Sequence, residues 1–92
     1  MAVCDIVISE RFKRDLRLSH KRGCNIGKLK LVIQKLASGE ALPPRCRDRE
    51  LSKRYKDFRE CHIEPDWILV YRLEVGKRLL FLFRHGTHDD IF

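Results

Sequence analysis

The stretch HIEPDWILVYRL, residues 62–73, decides the fold. Its second half is apolar at nearly every position, which is typical of a strand that is covered on both faces or lies in the centre of a sheet. Its first half contains a short turn, EPD, with a histidine before it and a tryptophan after it. A second apolar run, RLLFLF, leads into the polar ending RHGTHDDIF at 84–92. Two neighbouring strands with polar groups at their ends are therefore predicted.

Two further segments complete a predicted antiparallel meander. YKDFRECHI at 55–63 precedes the EPD turn, and the turn-forming stretch EVGK at 74–77 separates the two apolar runs. Antiparallel neighbours pair the end of one strand with the start of the next. We therefore expect the EPD turn and the RHGTH segment to meet at one edge of the sheet, which brings Arg84 near His62, Asp66 and Trp67.

The N-terminal half predicts one strand and two helices. β-Branched residues favour a strand in AVCDIVIS at 2–9, and Ser9 is a suitable cap for a helix of about Ser9 to Lys21 that ends near Gly23. A second amphipathic helix is expected after the cap residue Asn25 and before Gly39. Its apolar residues recur at spacings of three, four and seven, at Ile26, Leu29, Val32, Ile33 and Leu36.

The segment 40–53 contains the Pro43-Pro44 pair, and its apolar residues show neither the spacing of a helix nor that of a strand. We therefore expect it to be an exposed loop. A chain of 92 residues is long enough to form one hydrophobic core but too short for two, so we expect a single domain over residues 1–92. The order strand, helix, helix and three strands predicts an α+β fold in which the helix pair covers one face of the sheet.

Positive charge is concentrated in one continuous part of the chain. Lys and Arg total 20 against 13 Asp and Glu, for a net charge of +7. Residues 11–59 contain 16 basic and 5 acidic residues, a net charge of +11, and the other residues carry a net charge of −4. This asymmetry favours a polyanionic partner over a merely soluble basic surface, with nucleic acid first and an acidic protein or an anionic membrane surface second.

The cysteines and the hydropathy pattern indicate a cytoplasmic protein. Four widely spaced cysteines form no CxxC pair and follow no signal segment, which is typical of reduced thiols: Cys4, Cys24, Cys46 and Cys61. No apolar run approaches the roughly 18 to 20 residues of a membrane span, so no membrane partner is expected.

The polar groups expected at the sheet edge suit RNA strand scission. Imidazoles titrate near neutrality, a carboxylate can act as a base, and arginine holds a phosphate through two hydrogen bonds. The 2′-hydroxyl is a nucleophile already present in RNA, so neither a metal nor another cofactor is required. Taken singly, these residues have structural explanations, such as an acid in a turn or a tryptophan in the core. Their convergence favours a functional site.

A metal site is the alternative for the same cluster, because Cys61, His62, His85 and His88 are all ligand types. However, the pair His85 and His88 has a weak spacing and no second tight pair accompanies it. Cys61 and His62 also point to opposite faces if both lie in a strand. We therefore expect no metal and no cofactor.

The stretch YKDFRECHIEPDWILVYRL resembles the signature of the YafQ branch of the RelE superfamily of bacterial type II toxins. That signature is R-[DE]-x-H-[IV]-x-P-D-W-[IL]-L-[IV]-Y, and RHGTHDDIF resembles the ending R-x-G-[ST]-H-x-x-[IL]-F of the same branch. Two motifs at the right separation make the resemblance specific. It extends more loosely over the whole length, including the stretch KLKLVIQKLASGEALPP.

The resemblance implies a helical hairpin on a twisted sheet, in a toxin that enters the ribosomal A site and cuts messenger RNA there. It implies an active cleft that contains His62, Asp66, Arg84 and His88, with Trp67 and Phe92 helping to shape the cleft and hold the RNA. The resemblance does not assign acid and base. Our working assignment is His88 as the acid, Asp66 with His62 as the base and Arg84 on the scissile phosphate, and the first two roles are open to exchange.

One position departs from the family pattern. Where YafQ-like toxins often carry a further active-site histidine, this chain has Arg49 in RDREL. Arginine does not exchange a proton near neutral pH, so one hypothesis is that Arg49 binds phosphate and stabilises charge. His85, an extra histidine in the tail motif, is the other candidate for the missing role.

The family also implies partners: a cognate antitoxin with an acidic or amphipathic segment, the ribosome, messenger RNA and, through the antitoxin complex, operator DNA. Six basic residues are expected on helices away from the cleft, as a surface for docking to the ribosome: Arg11, Lys13, Arg14, Arg17, Lys28 and Lys30. The alternative functions are a noncatalytic nucleic-acid or protein-binding module and a DNA-binding corepressor that acts with the antitoxin.

Overall fold

The structure, a computed structural model, describes residues 4–92. The strands are β1 (Asp5–Ile8), β2 (Arg49–Glu50), β3 (Arg59–Glu64), β4 (Trp67–Glu74) and β5 (Leu79–Gly86). The helices are α1 (Glu10–Lys21), α2 (Ile26–Ala37) and α3 (His88–Ile91), and short 3₁₀ turns cover Pro44–Cys46, Lys53–Tyr55 and Val75–Lys77. In this part of the chain, none of the helices is long and apolar enough to cross a membrane.

All strands belong to one sheet with the order β1-β5-β4-β3-β2. β3, β4 and β5 form the predicted antiparallel meander, and β1 pairs with β5 in parallel, from Asp5 opposite Leu79 to Ile8 opposite Leu82. β4 therefore lies in the centre of the sheet. The predicted α+β fold is confirmed, and its sheet has five strands.

Both faces of β4 are covered, as its apolar sequence requires. On the helix face, defined as the face toward α1 and α2, side chains of both central strands pack with the helices: Trp67, Leu69, Tyr71, Leu80 and Leu82 with Phe12 and Leu29. On the opposite face, here named the α3 face, a second cluster joins the sheet to α3 and to the segment before β3: Ile68, Val70 and Ile91 with Leu51, Tyr55, Phe58 and Phe83. Burial on both faces fixes the register of β4.

The helix boundaries follow the predicted caps. Ser9 caps α1 by accepting a hydrogen bond from the Phe12 amide, and Gly23 follows the helix with a φ of 75°. Asn25 precedes α2, but its side chain makes no capping hydrogen bond. Gly39 ends the second helix with a φ of 79°, a conformation that glycine adopts without steric cost.

The segment predicted as an exposed loop, 40–53, is only partly a loop. It contains a 3₁₀ turn with the buried side chain of Cys46, and it contributes the edge strand β2. β2 has only two residues, so the alternation of apolar and polar side chains that predicts a strand cannot be seen in it. The next strand also begins later than the sequence indicated, at Arg59, because Asp57 has a left-handed φ of 76°. Residues 2 and 3 of the predicted first strand lie outside the described residues.

A β-bulge in β5 changes the direction of its last side chains. Tyr71 pairs with Leu82 and Val70 pairs with Arg84, so Phe83 is an extra residue in β5. A regular strand would place residue 85 on the same face as Phe83. The bulge instead places His85 opposite Leu69, on the helix face.

Replacing Ser9 with alanine is expected to lower the free energy of unfolding by about 1 to 2 kcal/mol, because a lost N-cap costs this much. The Ser9 hydroxyl accepts from the Phe12 amide at 3.0 Å and donates to the Phe83 carbonyl at 2.5 Å. Urea denaturation measures the change. Ser52→Ala is the matched control, since Ser52 is exposed and makes no side-chain capping bond, and an equal loss in both variants would contradict this role of Ser9.

Candidate active site

The strand register brings the EPD turn and the C-terminal segment together, as predicted. Ile68 pairs with His62 on one side and with Gly86 on the other. Adjacent strands are about 4.8 Å apart, so the backbones of His62 and Gly86 are separated by about 10 Å. Asp66 lies in the turn just before β4, and His88 begins α3 two residues after Gly86. The candidate residues therefore gather at one end of the sheet.

The α3 face carries His62, whereas Asp66 lines a pocket with Ser19, Arg22 and Trp67. Directly paired residues point to the same face of a sheet, so His62 lies on the face of Ile68, against which Ile91 of α3 packs. The rings of His88 and Phe92 are 5.0 Å apart, and Phe92 is 41% exposed. Among residues 4–92, no hydrogen bond joins His62, Asp66 and His88, and the buried Nδ1 atom of His62 has no partner.

Arg84 is held by the buried carboxylate of Asp15 from α1. Its Nε and Nη2 atoms donate to the two oxygens of Asp15, at 3.2 and 2.9 Å, and its Nη1 atom donates to the Asp90 carbonyl at 3.1 Å. The Asp15 carboxylate also accepts from the His85 amide at 3.1 Å. The hydrogen bond from Arg84 to Asp15 is the main reason why the pKa of Arg84 is raised.

Two of the six basic residues predicted on helices away from the cleft, Arg11 and Arg14, lie next to the candidate residue Arg84. These two residues share a pocket with Asp15 and Arg84. β1 ends where Ile8 pairs with Leu82, so it does not cover the last residues of β5. The first turns of α1 pack beside this end of β5.

The short helix α3 is attached at several points. Thr87 and Asp90 form a reciprocal capping box, and the Asp90 carboxylate also binds Arg22 of α1's C-cap at 2.8 Å. The hydrogen bond from Arg22 and those from Thr87 lower the pKa of Asp90 to about 2. The Tyr55 hydroxyl donates to the Ile91 carbonyl at 3.0 Å. These contacts fix the segment that carries His88.

Arg49 pairs with a buried acid on the same face as His62. Glu60, which is 2% exposed, accepts a hydrogen bond from the Arg49 Nε atom at 2.5 Å. The two residues are direct partners in β2 and β3, and the Arg49 side chain is 69% exposed. Most of the Arg49 side chain is therefore exposed to solvent, while Glu60 balances part of its charge.

The hypothesis that His85 replaces the missing histidine is wrong. His85 is 1% exposed and lies on the helix face, with its ring 4.7 Å from that of Phe12. Its Nδ1 atom accepts a hydrogen bond from the Trp67 indole at 3.1 Å, and burial lowers its pKa to about 4. The bulge at Phe83 is the physical reason, because it turns residue 85 into the core.

Trp67 does not present a ring on which a base could stack. Its side chain is 5% exposed and packs on the helix face, opposite His62. It borders a pocket of about 440 Å³ that Asp66 and Thr87 also line. Trp67 can therefore shape the surroundings of Asp66, as expected, but its burial leaves little of the ring to hold RNA.

Sequence reasoning missed Asp15, Glu60 and Tyr55. Asp15 had a detectable signal, because it lies between Phe12 and Ser19 on the inward stripe of a helix whose other charged residues are almost all basic. Glu60 had a weaker signal, since it precedes Cys61 on a strand and alternation alone does not show which face is buried. Tyr55 was assigned to a strand and lies in a 3₁₀ turn.

The ligand types of the sequence do not assemble into a metal site in the part of the chain that is described. No group of three His, Cys, Asp or Glu side chains among residues 4–92 could hold a metal ion. Cys61 is buried on the helix face, away from His62, and burial raises the pKa of its thiol. The four cysteines are free thiols.

The His85→Gln variant is expected to lose part of the pH dependence of stability. His85 is held neutral when folded, with a pKa of about 4 against 6.5 in the unfolded chain. Below pH 6.5 only the unfolded chain takes up this proton, so stability falls as the pH drops from 6.5 to 4, by an amount on the order of 3 kcal/mol. Urea denaturation at several pH values measures the slope in this window.

His20→Gln is the control for this experiment, because it removes an exposed histidine of α1 instead of a buried one. The assignment would be contradicted if the His85 variant kept the slope of the unmodified chain between pH 4 and 6.5.

The chain is similar to known proteins over nearly its whole length. A family model described as "Bacterial toxin of type II toxin-antitoxin system, YafQ" matches residues 4–92. The mRNA interferase toxin YafQ of Escherichia coli strain B/BL21-DE3 is 38% identical over 89 residues, which cover 96% of this chain and 95% of that protein.

Two solved structures share the fold over nearly the whole chain. One is from the E. coli DinJ-YafQ toxin-antitoxin complex, with a TM-score of 0.88 and 37% identity over 97% of both chains. The other is a metal-bound toxin from Helicobacter pylori, with a TM-score of 0.89 and 38% identity over 98% of this chain and 99% of that one. The chain therefore belongs to the YafQ family of bacterial type II toxins.

Proposed function

We propose that the chain is an mRNA interferase that cuts messenger RNA in the ribosomal A site by metal-independent attack of a 2′-hydroxyl, and so stops translation. Membership of the YafQ family supports the activity. The observation that carries the mechanism is the convergence of His62, Asp66 and His88 at one end of the sheet, on separate elements.

The reaction needs one base and one acid. Asp66, together with His62, removes the proton of the 2′-hydroxyl, and the resulting oxygen attacks the neighbouring phosphorus. The bond from phosphorus to the 5′-oxygen breaks, and His88 donates a proton to that leaving oxygen. The products are a 2′,3′-cyclic phosphate and a 5′-hydroxyl end.

The surroundings of the two histidines support these roles. The buried Nδ1 atom of His62 has no hydrogen-bond partner among residues 4–92, so a substrate group could supply one. His88 is exposed, and α3 is fixed by its capping box and by Arg22. A side chain that exchanges a proton with substrate must combine such access with a fixed position.

Two arginines supply charge for the phosphorane. Arginine has five N–H donors, and Arg84 uses three of them on Asp15 and the Asp90 carbonyl, which leaves two for a phosphate. Arg49 uses its Nε atom on Glu60 and keeps both Nη groups exposed. Arg49 cannot transfer a proton near neutral pH, so its proposed role is to stabilise charge.

The partners follow from the same proposal. The DinJ-YafQ complex supports a cognate antitoxin, which we expect to place an acidic or amphipathic segment on the positive residues 11–59. The ribosome and messenger RNA are the other partners, and operator DNA is bound through the antitoxin complex. The whole chain, 1–92, acts as one domain, and its site of action is the cytoplasm, where messenger RNA is translated.

His88→Ala and Asp66→Ala are each expected to lower messenger cleavage by about 10² to 10⁴, the usual contribution of one positioned acid or base. Mapping messenger 5′ ends in a translation extract measures the effect. Both variants should still fold and bind the antitoxin, because both side chains are exposed. His20→Ala, which removes an exposed histidine from α1, is the control and should cleave normally.

Near-normal cleavage by either variant would remove that residue from the proposed chemistry. If the unmodified chain binds RNA and antitoxin but cuts no messenger, the noncatalytic module or the corepressor becomes the better description.

A further inference from the structure

A pocket of about 280 Å³ lies between α1 and the end of β5, outside the acid-base site. It is lined by Arg11, Arg14, Asp15 and Arg84. Three of these four residues are arginines. Arg11 and Arg14 are close together in the sequence, and Arg84 follows about seventy residues later. The packing of α1 on β5 is what brings them together.

The positive charge of this pocket is not neutralised within the described chain. Neither Arg11 nor Arg14 has an ion-pair partner among residues 4–92, whereas Lys13 on the same helix pairs with Glu10. Both oxygens of Asp15 accept hydrogen bonds from Arg84 or the His85 amide. Three arginines and one carboxylate leave a net charge of +2.

The stability of α1 does not explain this placement. α1 begins at Glu10, so Arg11 and Arg14 lie in its N-terminal half. The helix dipole places partial positive charge at that end, which makes cations there unfavourable by some tenths of a kcal/mol. A bound anion would interact favourably with both arginines and with the N-terminal end of the helix.

We propose that this pocket binds a backbone phosphate of the messenger RNA, adjacent to the scissile phosphate along the strand. The inference rests on the proposed function, since Arg84 is shared between the pocket and the site. Arg84 contacts Asp15 on the pocket side and the Asp90 carbonyl of α3 on the other. Arg84 thus links the pocket to α3, the helix that begins with His88.

The test is the affinity of the full chain for a short single-stranded RNA whose 2′-hydroxyls are all methylated, so that it cannot be cleaved. Fluorescence anisotropy over a series of salt concentrations compares the unmodified chain with the double variant Arg11→Gln, Arg14→Gln. Loss of the one phosphate contact should reduce the salt slope by about 0.7 for single-stranded RNA, and affinity near 0.1 M salt should fall roughly fivefold.

The matched control is Lys21→Gln with Arg78→Gln, which removes the same charge at two exposed positions outside the pocket. This control should change the RNA affinity less than about threefold. An equal loss of affinity and slope in both double variants would overturn the proposal, because the effect would then be general electrostatics.

A second measurement identifies the source of the phosphate, using ribosomes programmed with the same methylated messenger. Loss of affinity for free RNA and for programmed ribosomes supports a messenger phosphate. Loss on the ribosome alone would overturn that assignment in favour of ribosomal RNA. Neither binding measurement requires cleavage. Failure of the proposed function would therefore be observed separately, because the unmodified chain would then bind RNA but leave ordinary messenger RNA uncut.

Discussion

The buried carboxylate of Asp15 joins the three elements that form the site. It accepts two hydrogen bonds from Arg84 and one from the His85 amide, which ties α1 to the end of β5. Arg84 then reaches the Asp90 carbonyl of α3. A buried charge is tolerated only when its partners are all in place, so this network fixes α1, β5 and α3 in one relative position. The position of His88 depends on it, because His88 begins α3.

The bulge at Phe83 makes the network possible and separates two kinds of chemistry. It places Arg84 opposite Val70 and turns His85 toward the helix face, where His85 and Trp67 share a hydrogen bond inside the core. The α3 face keeps His62 and the exposed Arg49. The structural imidazole of His85 and the proposed catalytic imidazole of His62 thus lie on opposite faces of the same sheet.

Sequence reasoning predicts those features that repeat locally or follow from strand direction. Ser9 and Gly23 place the first long helix, and the apolar spacing that includes Leu29 and Leu36 places the second. The antiparallel rule alone brings the EPD turn to the RHGTH segment. The pairing of Asp15 with Arg84 spans 69 residues, and no local pattern encodes it. The role of His85 is also hidden, because one bulged residue reverses the alternation on which a prediction of its face depends.

The most direct test of the account is the chemistry of the cut ends, measured on messenger cleaved by the purified chain on programmed ribosomes. Attack by the 2′-hydroxyl, with acid and base from His88, Asp66 and His62, requires a 5′-hydroxyl on one fragment. The other fragment must carry a 2′,3′-cyclic phosphate or its hydrolysed phosphate. A 5′-phosphate with a 3′-hydroxyl would show that water is the nucleophile, and it would contradict the central claim.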